Sequence, residues 1–173
     1  MSKKVAFITG ASRGIGAESA VALAGIGYNV AITARSLNEG ENHLHGDSNA
    51  PLPGSLSATA AAVEAVGGEA LCLPADILQV QSLIAAANQT LDHFGGIDLL
   101  FNNAVYQGLG NQTNLLDTTP EQLQAIYQGN IFTPLALVQT VVPGMLERRS
   151  GTIINMISHT AYNDPPAPAD QGG

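Results

Sequence analysis

Val5-Ala6-Phe7-Ile8-Thr9-Gly10-Ala11-Ser12-Arg13-Gly14-Ile15-Gly16 is the stretch whose reading decides the fold. Val5–Thr9 is a short apolar run, the pattern of a strand buried on both faces. Ile15–Ile26 then reads as a helix, with Ile15, Val21, Leu23 and Ile26 on its inner side and Gly27 as its stop. Between strand and helix the glycines fall in the spacing Gly-x-x-x-Gly-x-Gly. Gly10 allows a sharp turn off the strand, Gly14 allows the backbone to approach a diphosphate, and Gly16 allows the helix to lie close to the sheet. The helix N-terminus adds free N–H groups and a partial positive charge for phosphates. A generic tight turn is the alternative, and the strand before and helix after the motif favour the phosphate reading.

The same alternation continues outward from this turn. Asn29–Thr33 reads as a second strand, Ser55–Val66 as a helix, Ala70–Leu73 as a third strand and Gln79–Phe94 as a helix. Ile97–Phe101 is a fourth strand. Thr119-Pro120 then caps and starts a helical region that runs towards Arg149, with a bend near Pro134 or Pro143. Gly151–Ile157 is a fifth strand. Strands apolar on both sides and separated by helices predict a doubly wound α/β domain: a parallel sheet covered on both faces, a dinucleotide-binding Rossmann fold. Residues 36–54 form a long polar loop, and 163–173 form a tail rich in Pro, Asp, Ala and Gly.

Composition narrows the function. The 173 residues carry six Lys plus Arg against 14 Asp plus Glu, a net charge of −8, so a basic nucleic-acid surface cannot be built and an anionic membrane surface is disfavoured. The apolar run near the N-terminus is too short for a signal peptide or a membrane span. Cys72 is the single cysteine, which excludes an intrachain disulfide and fits a cytoplasmic setting. His43-x-His45-x-Asp47 is weak support for a metal, and no metal site is expected.

The end of the second strand selects between dinucleotides. An acidic residue there holds the ribose 2′-hydroxyl of NAD. This chain has Ile32-Thr33-Ala34-Arg35-Ser36, with no acid. Arg35, with Arg13 in the glycine turn, is suited to a 2′-phosphate through charge-assisted hydrogen bonds, so NADP(H) is expected over NAD(H).

These segments resemble the short-chain dehydrogenase/reductase family, in order and along essentially the whole chain. Thr9–Gly16 resembles its TGxxxGxG turn, Asp76-Ile77 its acidic position beside the adenine, and Asn102-Asn103-Ala104-Val105 its NNAG motif. Ile154-Asn155-Met156-Ile157-Ser158 resembles the strand that delivers the catalytic serine, and Asn130 matches the catalytic-site asparagine. The resemblance implies a cofactor site built from Gly10, Ser12, Arg13, Gly14, Ile15, Gly16, Arg35, Asp76, Ile77, Asn103 and Ala104. It implies hydride transfer between nicotinamide and a carbonyl or alcohol substrate. Ser158 would donate to the substrate oxygen, and Asn130 would hold a water in the proton relay. Asn130 also suits a second task, satisfying a helix distortion. A homo-oligomer, dimer or tetramer, is implied for the full-length protein.

Two departures stand out. Val105 replaces the family's usual glycine and narrows the space beside the nicotinamide ribose. The family's Tyr-x-x-x-Lys pair, its proton donor and the lysine that tunes it, has no counterpart: the only lysines are Lys3 and Lys4, and Tyr162 has Pro166 at its +4 position. On this reading the chain is a fragment, truncated after the fifth strand and inactive by itself. The alternatives are a non-catalytic NADP(H)-binding regulatory module, which would need neither Asn130 nor Ser158, and an S-adenosylmethionine-dependent methyltransferase, which the Asn-Asn-Ala motif disfavours. Tyr106, Gln107 and Asn111 follow the fourth strand at its ligand-binding end and are expected near substrate.

Overall fold

A computed structural model of the chain describes residues 3–41, 53–108 and 114–158. Five strands alternate with helices: β1 (Val5–Thr9), α1 (Gly14–Gly25), β2 (Asn29–Ala34), α2 (Leu56–Ala65), β3 (Ala70–Pro74), α3 (Val80–Phe94) and β4 (Leu99–Asn102). After a 3-10 turn, Leu115–Asp117, come α4 (Pro120–Tyr127), a π-helical turn (Gln128–Phe132), α5 (Thr133–Arg148) and β5 (Thr152–Asn155). All strand pairs are parallel, in the order β3-β2-β1-β4-β5. The doubly wound fold expected from the sequence is therefore present.

Alternation along the strands supplies both layers. Phe7, Ala31 and Leu100 face α3 and α5, where they meet Leu83, Leu137 and Val141. Ala6, Ile8, Val30 and Ile32 face α1 and α2, where they meet Ala20, Ala24 and Val63. Each central strand has a helix layer on both sides, so its side chains are apolar without interruption.

The inner face of α1 differs from expectation. Ile15 is 61% exposed and Ile26 74% exposed, whereas Gly16, Ala20 and Ala24 are buried. The helix lies so near the sheet that small residues occupy the closest contact, while Val21 and Leu23, expected on this side, are partly buried against the same core. Gly68 packs against it too: a Cβ there would stand 2.6 Å from the Cβ of Ala24. Close approach, rather than side-chain size, selects this face.

Local signals explain the helix ends. The hydroxyl of Ser55 accepts from the Ala58 N–H at 3.1 Å and caps α2. Thr119 and Gln122 form a reciprocal capping box at α4, with Pro120 in the first turn. The expected bend near Pro134 takes the form of the π-turn that ends just before it. Pro143 lies inside α5. At the opposite end of the sheet, the Arg148 guanidinium donates to the Ile97 carbonyl at 2.8 Å and covers Gly96.

Pro120–Arg148 is the one helical run among the described residues that is long and apolar enough to cross a membrane. Its Thr133, Leu137, Val141 and Met145 side is buried against the rest of the domain, while Leu123, Ile131, Phe132, Leu135 and Leu146 are exposed.

Packing beneath α1 makes a direct prediction. Ala20→Leu should lower stability by about 1–3 kcal/mol through overpacking, while Ile26→Ser should stay within about 0.5 kcal/mol of the parent. Denaturant unfolding of both variants checks this, and equal effects would contradict it.

Candidate functional site

The order of the sheet reverses at β1, whose neighbours β2 and β4 lead to opposite edges. At such a switch point the loops leaving the strands part and open a crevice at the carboxyl ends. Here that crevice holds a cleft of about 490 Å³.

One hydrogen-bonded knot fixes the floor. The Thr9 hydroxyl accepts from the N–H groups of Asn103 and Ala104, each at 3.0 Å. The Asn103 amide donates back to the carbonyls of Thr9 at 2.9 Å and Gly10 at 3.2 Å. The ends of β1 and β4 are thereby locked together. Gly10 has φ +69°, and a Cβ on it would stand 2.8 Å from Ala104 Cα. A Cβ on Gly16 would overlap the Gly10 carbonyl oxygen. Both positions therefore require glycine for close approach.

Gly14 is different. It has φ +54° and open space where a Cβ would be. Arg13 is the N-cap of α1, yet no side chain caps this helix end and its first turn carries no acid. The terminal N–H groups are thus left to whatever enters the cleft, and their chemistry fits an anion.

The far corner of the cleft carries Arg13 and Arg35. Arg13 is partly buried, and its Nε is enclosed without a partner. Burial lowers the Arg13 pKa first and nearby Arg35 lowers it further, while Glu39 pushes it back up. Two adjacent cations, one with an unsatisfied donor, suit a compact multivalent anion such as a phosphate. These features together fit a dinucleotide phosphate donor set.

The remaining wall comes from β3 and the loop after β4. Asp76 lines the cleft, and its Oδ1 accepts from the Leu78 N–H at 2.9 Å, so the carboxylate also shapes its own turn. Ile77 lines the cleft too, and its carbonyl accepts from the Thr133 hydroxyl at 2.7 Å. Val105 faces the cleft and is 54% exposed. Among the described residues Arg149 alone of the non-glycines has a positive φ, so the backbone at Val105 does not require glycine.

Of the eleven cofactor-site residues read from the sequence, ten line this cleft: Gly10, Ser12, Arg13, Gly14, Ile15, Arg35, Asp76, Ile77, Asn103 and Ala104. Gly16 lies beneath the turn instead, as its close-packing task requires. Tyr106 and Gln107 also line the cleft, whereas Asn111 and the His43–Asp47 group fall outside the described residues. Among the described residues no cluster of metal-ligating side chains occurs. Cys72 is half-buried, and burial pushes its thiol pKa up.

The two catalytic assignments stand apart from the cleft lining. Asn130 sits in the π-turn, and its side-chain oxygen accepts from the Tyr106 N–H at 2.7 Å. Its amide therefore ties the helix distortion to the loop after β4. Beside it, a Cβ on Gly129 would stand 2.9 Å from Tyr106 Cβ, so the loop rests directly on the turn. Ser158 lies just past β5 and is exposed, and Met156 from the same segment reaches the cleft. Met156 and Ser36 were not singled out from the sequence, since only the strand ends' arrival at one edge brings them there.

Known proteins share this arrangement. Residues 4–168 match the short chain dehydrogenase family profile. Ketoacyl reductase HetN from Nostoc sp. is 33% identical over 90% of this chain, which spans 47% of HetN. A metagenomic short-chain oxidoreductase, solved in complex with NADP, superposes with TM-score 0.79 at 31% identity, covering 95% of this chain and 66% of that one. A 3-oxoacyl-[acyl-carrier protein] reductase from Brucella melitensis, solved with NAD, superposes with TM-score 0.76 at 29% identity over 96% of this chain and 60% of its own. With a matching profile over nearly its whole length and a Rossmann cleft assembled from the same motifs, the chain belongs to the short-chain dehydrogenase family.

Proposed function

We propose that this chain supplies the cofactor half of an NADP(H)-dependent oxidoreductase that moves hydride between the nicotinamide and a carbonyl or alcohol carbon. The observation that carries the NADP(H) choice is the Arg13–Arg35 corner of the cleft, at the end of a second strand that ends without an acid. Relatives solved with NADP and with NAD both exist, so the choice rests on this corner rather than on likeness.

The residues divide the work by position. The open N-terminus of α1 would take the diphosphate, with Gly14 leaving room for its approach. Asp76 and Ile77 would flank the adenine, and Ala104 and Val105 would border the nicotinamide ribose. The cofactor supplies the hydride chemistry, and the protein supplies alignment. Ser158 would donate a hydrogen bond to the substrate oxygen as charge develops there. Asn130, whose side chain accepts from the Tyr106 N–H, would hold the π-turn in place and position a water of the proton relay.

Proton transfer would need the family's Tyr-x-x-x-Lys pair, which residues 1–173 do not contain. The 173 residues by themselves would then bind NADP(H) without turning over substrate. The reacting protein would be a soluble, cytoplasmic homo-oligomer acting on a small molecule.

Two outcomes test this reading. Arg35→Asp should weaken NADP(H) binding at least about tenfold and remove the preference over NAD(H), because a phosphate partner becomes a like charge. Calorimetric titration of both cofactors into the parent and the variant measures it, and equal parental affinities would contradict the assignment. In a form that includes the Tyr-x-x-x-Lys pair, Ser158→Ala should lower kcat by about 10²–10³ and leave NADPH affinity unchanged. Undiminished turnover of carbonyl substrates would remove Ser158 from the mechanism.

A further inference from the structure

Beyond β2 the chain returns to the glycine-rich turn from outside the cleft. Gly54 has φ +101°, and a Cβ on it would stand 2.5 Å from the Ser12 carbonyl oxygen and 3.0 Å from Arg13 Cβ. The Gly54 backbone therefore lies close against Ser12 and Arg13, and glycine is the residue that permits it. Its two polar groups point to different partners. The Gly54 N–H donates to Glu39 Oε2 at 3.2 Å. The Gly54 carbonyl accepts from Arg13 Nη2 at 3.5 Å.

Both ends of this relay are anchored. Glu39 follows a segment whose Leu37 N–H donates to the Glu41 carboxylate and whose Leu37 carbonyl accepts from the Ser57 hydroxyl at 2.8 Å. Ser55, directly after Gly54, caps α2. The glutamate, the glycine peptide and the arginine thus form one connected line, from the loop after β2 to the phosphate corner of the cleft.

We infer that Glu39, acting through the Gly54 peptide, is a positioning residue that aims Arg13 into the 2′-phosphate corner and so sets the discrimination between NADP(H) and NAD(H). This rests on the proposed NADP(H) reading. Without the tether, Arg13 has a long, flexible stem and a neighbouring cation, Arg35, that repels it. The Gly54 carbonyl accepts from one Nη2–H at the edge of the guanidinium and leaves its remaining donors for the ligand.

The tether needs an acceptor atom rather than a charge, which separates it from a general electrostatic effect. Binding of NADPH and of NADH is titrated through the cofactors' own fluorescence, which the Trp-free chain does not obscure. Glu39→Ala should weaken NADPH by about three- to tenfold, the scale of one hydrogen bond, and leave NADH within about twofold. Glu39→Gln, whose amide oxygen still accepts from the Gly54 N–H, should restore NADPH affinity. Glu39→Asp, whose shorter side chain draws the carboxylate back from the Gly54 N–H, should behave as Glu39→Ala, and it carries the test if Glu39→Ala does not fold. An unchanged NADPH/NADH ratio in Glu39→Ala, equal weakening of both cofactors, or a Glu39→Gln as weak as Glu39→Ala would each overturn the inference. If the parent shows no preference for NADPH, the NADP(H) reading falls as well. If Arg35→Asp abolishes a preference that Glu39→Ala leaves intact, only the role of Glu39 falls.

Discussion

The knot between Thr9 and Asn103 is the constraint on which the rest of the cleft depends. Its donors and acceptors come from strands adjacent in the sheet but more than ninety positions apart in the chain. It gives partners to backbone groups where the β1–β4 ladder ends and the two strands diverge. With that divergence fixed, Gly10 can lie against Ala104 and Gly16 against the Gly10 carbonyl. The N-terminus of α1 then points into the crevice, and its dipole and unpaired N–H groups become available to an anion. Loosening the knot would move the turn, the helix end and the loop after β4 together.

A second constraint operates on the other side of the crevice. The π-turn shifts the register between α4 and α5, and Gly129 and Asn130 receive the loop after β4 on that irregular surface. Thr133 extends the same contact to Ile77. Three loops from three strands are therefore braced against neighbouring elements rather than left free, as a site that must align two carbon atoms requires.

Much of this was legible in the sequence because two signals are strong in this fold. Strands buried on both faces leave uninterrupted apolar runs such as Val5–Thr9 and Leu99–Phe101, and glycines that approach backbone cannot be exchanged. Where the sequence misled, the cause was local geometry. Ile15 and Ile26 look like an inner face by hydrophobicity, but Gly16, Ala20 and Ala24 make the closest contact with the sheet, with Val21 and Leu23 partly buried beside them. Met156 and the Glu39–Gly54–Arg13 line carry no motif, because they arise from where strand ends and loops meet in space.

The central claim is that this cleft holds a dinucleotide with its 2′-phosphate between Arg13 and Arg35, and phosphorus NMR of bound NADP tests it most directly. A free phosphate monoester loses its second proton at about pH 6. Neighbouring cations stabilise the dianion and pull that ionisation to lower pH. The account predicts that the 2′-phosphate resonance of the bound cofactor stays at its dianionic position well below about pH 6, while the diphosphate resonances shift on binding. A bound 2′-phosphate that titrates as it does in free NADP would contradict it.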